Sequence, residues 1–234
     1  MQSDKSRIFT VLLILCTIIS LCFYSCAPDS SDQSDLNIAE QNAVSASDTT
    51  NAQREDMIVA GGCFWCVEAD MEKAPGVIEV ISGYSGGQIK NPDYDNYAEG
   101  GHREVARVIY NPEQVSYKGL LYYFIKHIDP TDAEGSFTDR GKQYSPAIYY
   151  ETEEEKKDAR EVLADIAQRN VFEEELKVPV LPEEPFWMAS EYHQDYYKDD
   201  TVQYTIYRKF SGRSSFIEEH WGEQADVIPD SLKQ

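Results

Sequence analysis

Hydrophobic positions after residue 55 recur with two periods, one typical of strands and one typical of helices. Short apolar or alternating runs that predict strands cover residues 57–60, 77–82, 104–110, 147–151 and 178–181. Helical patterns cover residues 63–73, 116–128 and 152–170. Polar loops fill residues 88–103 and 129–146, and the aromatic segment after residue 181 is predicted to be irregular. The alternation predicts an α/β domain whose long loops can carry a functional site.

The first 25 residues have the layout of a targeting segment. Lys5 and Arg7 precede an apolar run over residues 8–24, which ends just before Cys26. A charged start and an apolar centre predict a signal peptide over residues 1–25. The cysteine that follows resembles the lipidation site of bacterial lipoproteins. The alternative is an uncleaved transmembrane anchor, because about 17 apolar residues are at the short end of what spans a bilayer. Both interpretations predict an exported protein, periplasmic or on the cell surface, held at a membrane.

Residues 26–55 are rich in Ser, Asp, Asn, Gln and Ala and poor in large apolar side chains. Such a segment cannot bury enough apolar surface to offset the entropy of ordering, so a flexible acidic tether is predicted. The folded domain is then expected over residues 56–234.

The whole chain carries 42 acidic against 21 basic residues, a formal net charge of −21. A surface of this charge repels phosphate backbones. The composition therefore argues against a nucleic-acid partner.

The cysteines divide into three near the N-terminus and one later pair, Cys63 and Cys66, and residues 67–234 contain none. This distribution excludes a disulfide framework of the secreted kind. Cys63 is predicted at the first turn of a helix, where free backbone N–H groups and the helix dipole stabilise a thiolate. Cys66 follows three residues later on the same helical face, so the two sulfurs can meet.

Three interpretations fit this pair. Two buried thiols could serve only as small apolar side chains, although thiols outside the cytoplasm are prone to oxidation. A thioredoxin-like thiol–disulfide oxidoreductase would also use a pair with this spacing. Phe64 and Trp65 between the cysteines favour a third interpretation, in which a nucleophilic sulfur lies in an aromatic pocket that accepts a thioether methyl group.

The segment Gly-Cys-Phe-Trp at residues 62–65 resembles the A-type peptide methionine sulfoxide reductases, and the resemblance extends from about Met57 to Tyr197. Further matching segments follow in the family's order at residues 76–78, 82–87, 91–94, 101–104, 129–131, 139–144 and 191–194. The resemblance implies a two-layer α/β (α+β) fold around a mixed sheet, in agreement with the alternation above. It also implies reduction of the S-epimer of methionine sulfoxide in oxidised proteins or peptides, with no metal and no bound cofactor.

The family's functional residues fall on matching positions. Cys63 corresponds to the nucleophile that attacks the sulfoxide sulfur. Glu104 corresponds to the acid that protonates the oxygen, a role that needs a carboxyl shielded from water. Without the resemblance, Glu104 beside Arg103 would be interpreted as half of a surface ion pair. His102 and His193 are expected to be structural, since no further ligand stands at metal spacing. The substrate-binding positions of the family fall on Phe64, Trp65, Tyr94, Asp139, Tyr144 and Tyr196.

The chain departs from the family in two places. Cys66 occupies a position that is often glycine, and the C-terminal resolving cysteines of many members are missing. The hypothesis is that Cys66 attacks a sulfenic acid on Cys63 and that a thioredoxin-like thiol reduces the resulting disulfide. The alternatives are a single-cysteine cycle with direct external reduction, and a binding lipoprotein with a vestigial site. A smaller difference from the family, at residues 134–137, predicts a differently shaped loop before Asp139.

Overall fold

The computed structural model describes residues 53–233. Its strands are β1 (Glu55–Ala60), β2 (Val77–Ser85), β3 (Arg103–Tyr110), β4 (Gly135–Ser136), β5 (Asp139–Arg140), β6 (Ala147–Tyr150), β7 (Val180–Pro182) and β8 (Trp187–Met188). Its helices are α1 (Phe64–Met71), α2 (Tyr117–Lys126), α3 (Glu153–Gln168), α4 (Tyr196–Asp199), α5 (Thr201–Ser211) and α6 (Arg213–His220). The predicted signal peptide, Cys26 and most of the predicted tether lie outside the described residues.

Six of the strands form one mixed sheet in the order β7-β6-β1-β3-β2-β8. Neighbouring strands are antiparallel except β6 and β7, which run parallel because α3 connects them. The strands β4 and β5 form a small hairpin inside the predicted loop 129–146. The α/β architecture around a mixed sheet is confirmed.

The two faces of the sheet differ in what covers them. On β1, Met57 and Val59 pack on the helical side, whereas Ile58 and Ala60 pack on the other, because successive side chains of a strand alternate. The large core on the helical side includes Val67 and Met71 of α1, Leu120, Leu121, Phe124 and Ile125 of α2, and Ala159, Val162 and Ile166 of α3. The opposite face carries only a small cluster, to which Phe186 contributes from the C-terminal segment. The result is a two-layer arrangement.

Local signals explain where the two long helices begin. The hydroxyl of Ser116 accepts from the backbone N–H of Gly119 at 3.2 Å and caps α2. Thr152 and Glu155 form a reciprocal capping box at the start of α3. Within residues 53–233, no helix has the length and apolar character needed to cross a membrane.

The prediction of an irregular chain after residue 181 is wrong, because helices α4 to α6 occupy most of residues 196–220. The apolar side chains spaced at helical intervals on α5, namely Val202, Ile206 and Phe210, are exposed. The inward face of α5 is built instead from tyrosines, among them the buried Tyr204 and the half-buried Tyr207. A helix that buries aromatic hydroxyl side chains does not show the usual apolar stripe.

Candidate active site

The turn between β1 and α1 positions Cys63. Gly62 has a φ of +98°, in the left-handed region that favours glycine. A Cβ atom at this position would lie 2.5 Å from Ser136 Cβ and 2.8 Å from Arg213 Nη2. The turn leaves Cys63 as the N-cap of α1, with its carbonyl accepting from the Cys66 N–H at 3.0 Å. Cys63 is therefore held at the positive end of the helix by a turn that strongly favours glycine.

Cys63 and Cys66 are both free thiols, and both are buried. Burial raises the pKa of the Cys63 thiol, and a hydrogen bond from Tyr207 offsets part of this effect. The hydrogen bond from Cys63 lowers the pKa of Cys66 to about 7, against the opposing effect of burial. The pair thus loses its first proton near neutral pH. The remaining proton lies in the hydrogen bond between the two sulfurs.

Glu104 lies beneath the first turn of α1. Strand alternation places it on the helical face with Ala106 and Val108, where the side chain is 2% exposed. Its Oε2 accepts from the Phe64 N–H at 2.9 Å, and its Oε1 accepts from the Tyr97 hydroxyl at 2.8 Å. Burial raises the pKa of Glu104 to about 8, although these two hydrogen bonds lower it. The carboxyl is therefore largely protonated at neutral pH and can act as an acid.

The interpretation of Glu104 as half of a surface ion pair is wrong. Arg103 lies on the other face of β3, where its Nε donates to Ser145 Oγ at 3.0 Å and its Nη1 donates to the Tyr149 hydroxyl at 3.4 Å. Adjacent residues of a strand point to opposite faces, so neighbours in sequence are separated by the sheet.

Cys63 and Glu104 both line one cavity of about 120 Å³. Its lining comprises Cys63, Phe64, Trp65, Tyr94, Glu104, Asp139, Tyr144 and Tyr207. Pockets for whole drug-sized ligands are typically about 300–1,000 Å³, so this cavity holds one small group rather than a complete molecule. A larger cavity of about 720 Å³ near His220 and Phe172 is lined by acidic and aromatic side chains without a cysteine, so its size does not make it the reactive site.

Seven of the nine side chains predicted for the site line this cavity, and the other two lie behind it. Tyr196 stacks on Trp65 with ring centroids 3.9 Å apart, and Cys66 lies one turn below Cys63 in α1. Tyr94 is half exposed at the mouth and stacks on His193 at 4.5 Å. The stacking of Tyr196 on Trp65 therefore orients the indole ring.

Two tyrosines of the site were not predicted. The Tyr97 hydroxyl donates to Glu104 and lies 3.5 Å from the Tyr144 hydroxyl, so it connects Glu104 to the cavity wall. Tyr207 lines the cavity from α5, donates to Asp139 and lies within hydrogen-bonding reach of Cys63. Burial raises the pKa of both phenols, which stay neutral donors. The chain contains 16 tyrosines, and no local pattern distinguishes these two.

The two histidines that were expected to be structural differ. His102 accepts from the Gly87 N–H at 3.2 Å, and its Nε2 lies 2.7 Å from the Ile89 carbonyl. This histidine supports the loop before β3. His193 instead packs among the rings of the site, with Phe64 at 5.3 Å and Trp65 at 5.7 Å, and its buried Nδ1 has no partner within the described residues.

One group of acidic side chains within residues 53–233 has the spacing of metal ligands, namely Glu68, Glu72 and Asp195. The ammonium of Lys198 lies 2.7 Å from Glu72 and 2.6 Å from Asp195. Glu68 accepts from the Ser82 hydroxyl at 2.8 Å and from the Asp195 N–H at 2.9 Å. The oxygen atoms of this group are therefore already partnered by the protein.

Comparison with known proteins identifies the family that shares these features. A family model described as peptide methionine sulfoxide reductase matches residues 55–225. The chain belongs to the peptide methionine sulfoxide reductase family. It is accordingly an oxidoreductase, and the matched residues include every side chain that lines the cavity.

Relatives of this reductase match it over different shares of their own length. Peptide methionine sulfoxide reductase MsrA/MsrB of Vibrio cholerae is 46% identical over 80% of this chain and 50% of that protein. Peptide methionine sulfoxide reductase MsrA 2 of Staphylococcus aureus is 40% identical over 73% of this chain and 98% of that protein. The match to the solved structure of methionine sulfoxide reductase A of Corynebacterium diphtheriae covers 65% of this chain and 77% of that chain. Its TM-score is 0.58, and the sequences are 26% identical. The chain thus spans about half of the first relative and nearly all of the second.

Proposed function

We propose that this reductase converts the S-epimer of methionine sulfoxide, in peptides or proteins, to methionine. The observation that carries the proposal is the placement of a nucleophilic sulfur and a protonated carboxyl around one small cavity. Cys63 lines the cavity at a helix N-terminus. Glu104 lines the same cavity and is buried, with a pKa of about 8. A sulfoxide needs both groups, because its sulfur must be attacked while its oxygen is protonated.

The chemistry of the first step balances within the site. The Cys63 thiolate attacks the sulfoxide sulfur, and Glu104 supplies a proton to the oxygen. The attack forms a bond between the two sulfurs, and the protonated oxygen then moves from the substrate sulfur to the Cys63 sulfur. The bonds that join the substrate sulfur to the oxygen and to Cys63 break, so methionine leaves and Cys63 remains as a sulfenic acid. The substrate sulfur gains two electrons and Cys63 loses two. Transfer of the shared proton to Cys66 leaves the charge on Cys63, where the helix N-terminus favours it.

The walls of the cavity are of two kinds. Phe64 and Trp65 present rings to a methyl group, whereas Tyr94 and Tyr144 present hydroxyls to an oxygen. The sulfoxide sulfur is a stereocentre that carries a methyl group, an oxygen and the rest of the methionine side chain. Two cavity walls of different chemistry therefore accept one of the two epimers. A cavity of about 120 Å³ admits the end of the side chain only, which leaves the peptide backbone outside and favours peptide-bound substrates.

Cys66 is proposed as the resolving thiol of the cycle. It follows Cys63 by one helical turn, forms a hydrogen bond with it, and has a pKa of about 7. Cys66, which holds the shared proton after the first step, loses that proton as its sulfur attacks the sulfenic sulfur of Cys63. The Cys63 sulfur–oxygen bond breaks, the two sulfurs form a disulfide, and the oxygen leaves with this proton as water. An external thioredoxin-like dithiol then reduces that disulfide by exchange, so no bound organic cofactor is required.

For the N-terminal part of the chain we retain the predictions made from its sequence. Residues 1–25 are proposed as a lipoprotein signal peptide, Cys26 as the lipidated residue, and residues 26–55 as the tether of a domain over residues 56–234. The supporting pattern is the charged start, the apolar run and the cysteine at its end. Expression of the full chain in a lipoprotein-processing bacterium, with C26A as control, tests this: membrane association that survives in C26A points to an uncleaved anchor.

The second candidate function is thiol–disulfide exchange, favoured by two free thiols three residues apart at a helix N-terminus. An assay driven by dithiothreitol on residues 27–234 separates the candidates, using separated S- and R-epimers of a methionine sulfoxide peptide. Turnover of the S-epimer alone, absent in C63S, supports the sulfoxide reaction and the nucleophile together. If neither epimer reacts while an exchangeable disulfide does, the exchange function replaces it.

A further inference from the structure

The first residue of α6, Arg213, is the largest of the fully buried side chains, with 2% exposure. Its Nη1 donates to the His127 carbonyl at 2.7 Å, and its Nη2 donates to the Gly61 carbonyl at 2.8 Å. The Ser136 hydroxyl lies 3.4 Å from Nη2, and the Phe137 ring lies 4.9 Å from the guanidinium carbon. Each of these partners is electrically neutral.

Arg213 takes part in none of the ion pairs found among residues 53–233. A buried charge is costly unless a nearby charge of opposite sign balances it. Arg208 shows the usual solution, because both of its terminal nitrogens lie 2.9 Å from the buried carboxylate of Asp70. Among the described residues, Arg213 therefore has no carboxylate partner at ion-pair distance.

The turn that Arg213 holds leads directly to the sulfur pair. The Gly61 carbonyl that it holds is two residues before Cys63, and a Cβ on Gly62 would lie 2.8 Å from its Nη2. After the hydrogen bond from Cys63, the charge of Arg213 is a further cause of the lowered pKa of Cys66. A guanidinium keeps its charge at every relevant pH, so this field is permanent.

We propose that Arg213 is a positioning residue for the thiol pair, which fixes the Gly61–Gly62 turn beneath Cys63 and supplies the permanent positive charge that balances a thiolate on Cys66. The proposal rests on the proposed function, since it concerns how Cys66 becomes a nucleophile in the second step. Arg213 does not line the cavity and touches neither the sulfoxide nor its oxygen.

The segment at residues 134–137 encloses the guanidinium from one side. Ser136 and Phe137 of this segment contact Arg213. Phe137 has a φ of +56°, a strained conformation for a bulky residue, and its ring packs at 5.5 Å against Phe216 of α6. The β4–β5 hairpin and the start of α6 therefore form one enclosure for the guanidinium.

Other charged or titratable groups also face Cys66, namely Cys63, Asp70, Glu104, Tyr204, Tyr207 and Arg208. Asp70 and Arg208 form an ion pair and largely cancel each other. Burial raises the pKa of Glu104, Tyr204 and Tyr207, so these groups are mainly neutral near pH 7. Arg213 is then the unbalanced charge acting on the pair.

The test titrates the reduced, full-length protein by its thiolate absorbance at 240 nm between pH 5 and 9.5, below the range in which ordinary tyrosines ionise. Cys16, Cys22 and Cys26 are replaced by serine in the parent and in every variant, so that only Cys63 and Cys66 can form thiolates. R213Q keeps a side-chain donor but removes the charge, and R213K keeps the charge but loses the planar fork. S136A is the matched control, because it removes a contact of Arg213 without changing any charge. The far-ultraviolet spectrum and the melting curve of each variant show whether it is folded.

We expect the first thiolate midpoint to rise by about one pH unit or more in R213Q, the size expected for loss of a close opposite charge. R213K and S136A should stay within a few tenths of a unit of the parent. An unchanged midpoint in folded R213Q overturns the proposal. If R213Q does not fold, R213K decides: a parental midpoint supports the charge role, and a midpoint raised as far as that of an ordinary cysteine overturns it.

The titration requires no turnover, so its failure is distinct from failure of the proposed function. Single-turnover mixing with the sulfoxide peptide adds the kinetic readout. In R213Q, disulfide formation at pH 7 should slow about fivefold, because a rise of one pH unit from a midpoint of about 7 lowers the thiolate fraction from about one half to about one eleventh. R213K should recover most of that loss. Slowing that is equal in R213Q, R213K and S136A would indicate a merely structural role.

Discussion

Replacing Glu104 by glutamine should remove activity and, at the same time, stabilise the fold near pH 8. The parent carboxyl is buried, and its pKa is about 8 when folded against an ordinary value of 4.5. Between these two values the folded protein holds a proton that the unfolded chain has released. The free energy of unfolding of the parent therefore falls as the pH rises from 4.5 to 8.

The magnitude follows from that difference in pKa. Each pKa unit corresponds to about 1.36 kcal/mol, so the interval between 4.5 and about 8 amounts to roughly 3–5 kcal/mol. Glutamine does not titrate, and its amide oxygen can still accept from the Phe64 N–H. E104Q should therefore lack this pH-dependent loss, while turnover falls by about 10²–10⁴ because the proton donor is missing.

The assay is urea unfolding of the parent and E104Q at pH 5, 6, 7 and 8, with methionine formation measured on the same preparations. E68Q is the matched control. Glu68 is also buried, and burial raises its pKa to about 7, but Glu68 does not line the cavity. E68Q should show a smaller stability effect of the same sign and keep most of its turnover. Parallel stability curves for E104Q and the parent would refute the buried proton, and turnover of E104Q within threefold of the parent would refute the acid role.

Three further predictions follow from the site. C66S should form one equivalent of methionine at a parental rate and then retain a sulfenic acid on Cys63, detected by mass spectrometry after trapping; steady turnover at the parental rate with a dithiol partner would contradict the resolving role. G62A should lower the free energy of unfolding by about 2–4 kcal/mol in urea titrations, since alanine disfavours a φ of +98° and its Cβ would meet Ser136 and Arg213; a loss below about 1 kcal/mol would show that the turn relaxes. Y207F should lower kcat/KM for the sulfoxide peptide about tenfold, as expected for one lost hydrogen bond to a charged partner; an unchanged value would show that the phenol only fills space.

Elements with a clear local period were predictable from the sequence. The helix that follows Gly62 and the strand that carries Glu104 were placed to within a few residues of their observed bounds. Their patterns depend on neighbours three or four residues apart in a helix, or two apart in a strand, and these neighbours are visible in the sequence itself. The C-terminal helices were missed because tyrosines form their buried face and large apolar residues form their exposed face.

The sequence by itself determined the position of the cysteine pair, the family and most of the side chains that line the cavity, since these are carried by short motifs in a constant order. Only the tertiary structure decided which distant groups surround that pair. Tyr207 and Arg213 come from helices about 150 residues further along the chain, brought there by the burial of the C-terminal segment. The raised pKa of Glu104 likewise arises from its loss of contact with water, which depends on the packing of α1 over β3. Burial and charge are properties of the folded surroundings, and no local sequence pattern specifies them.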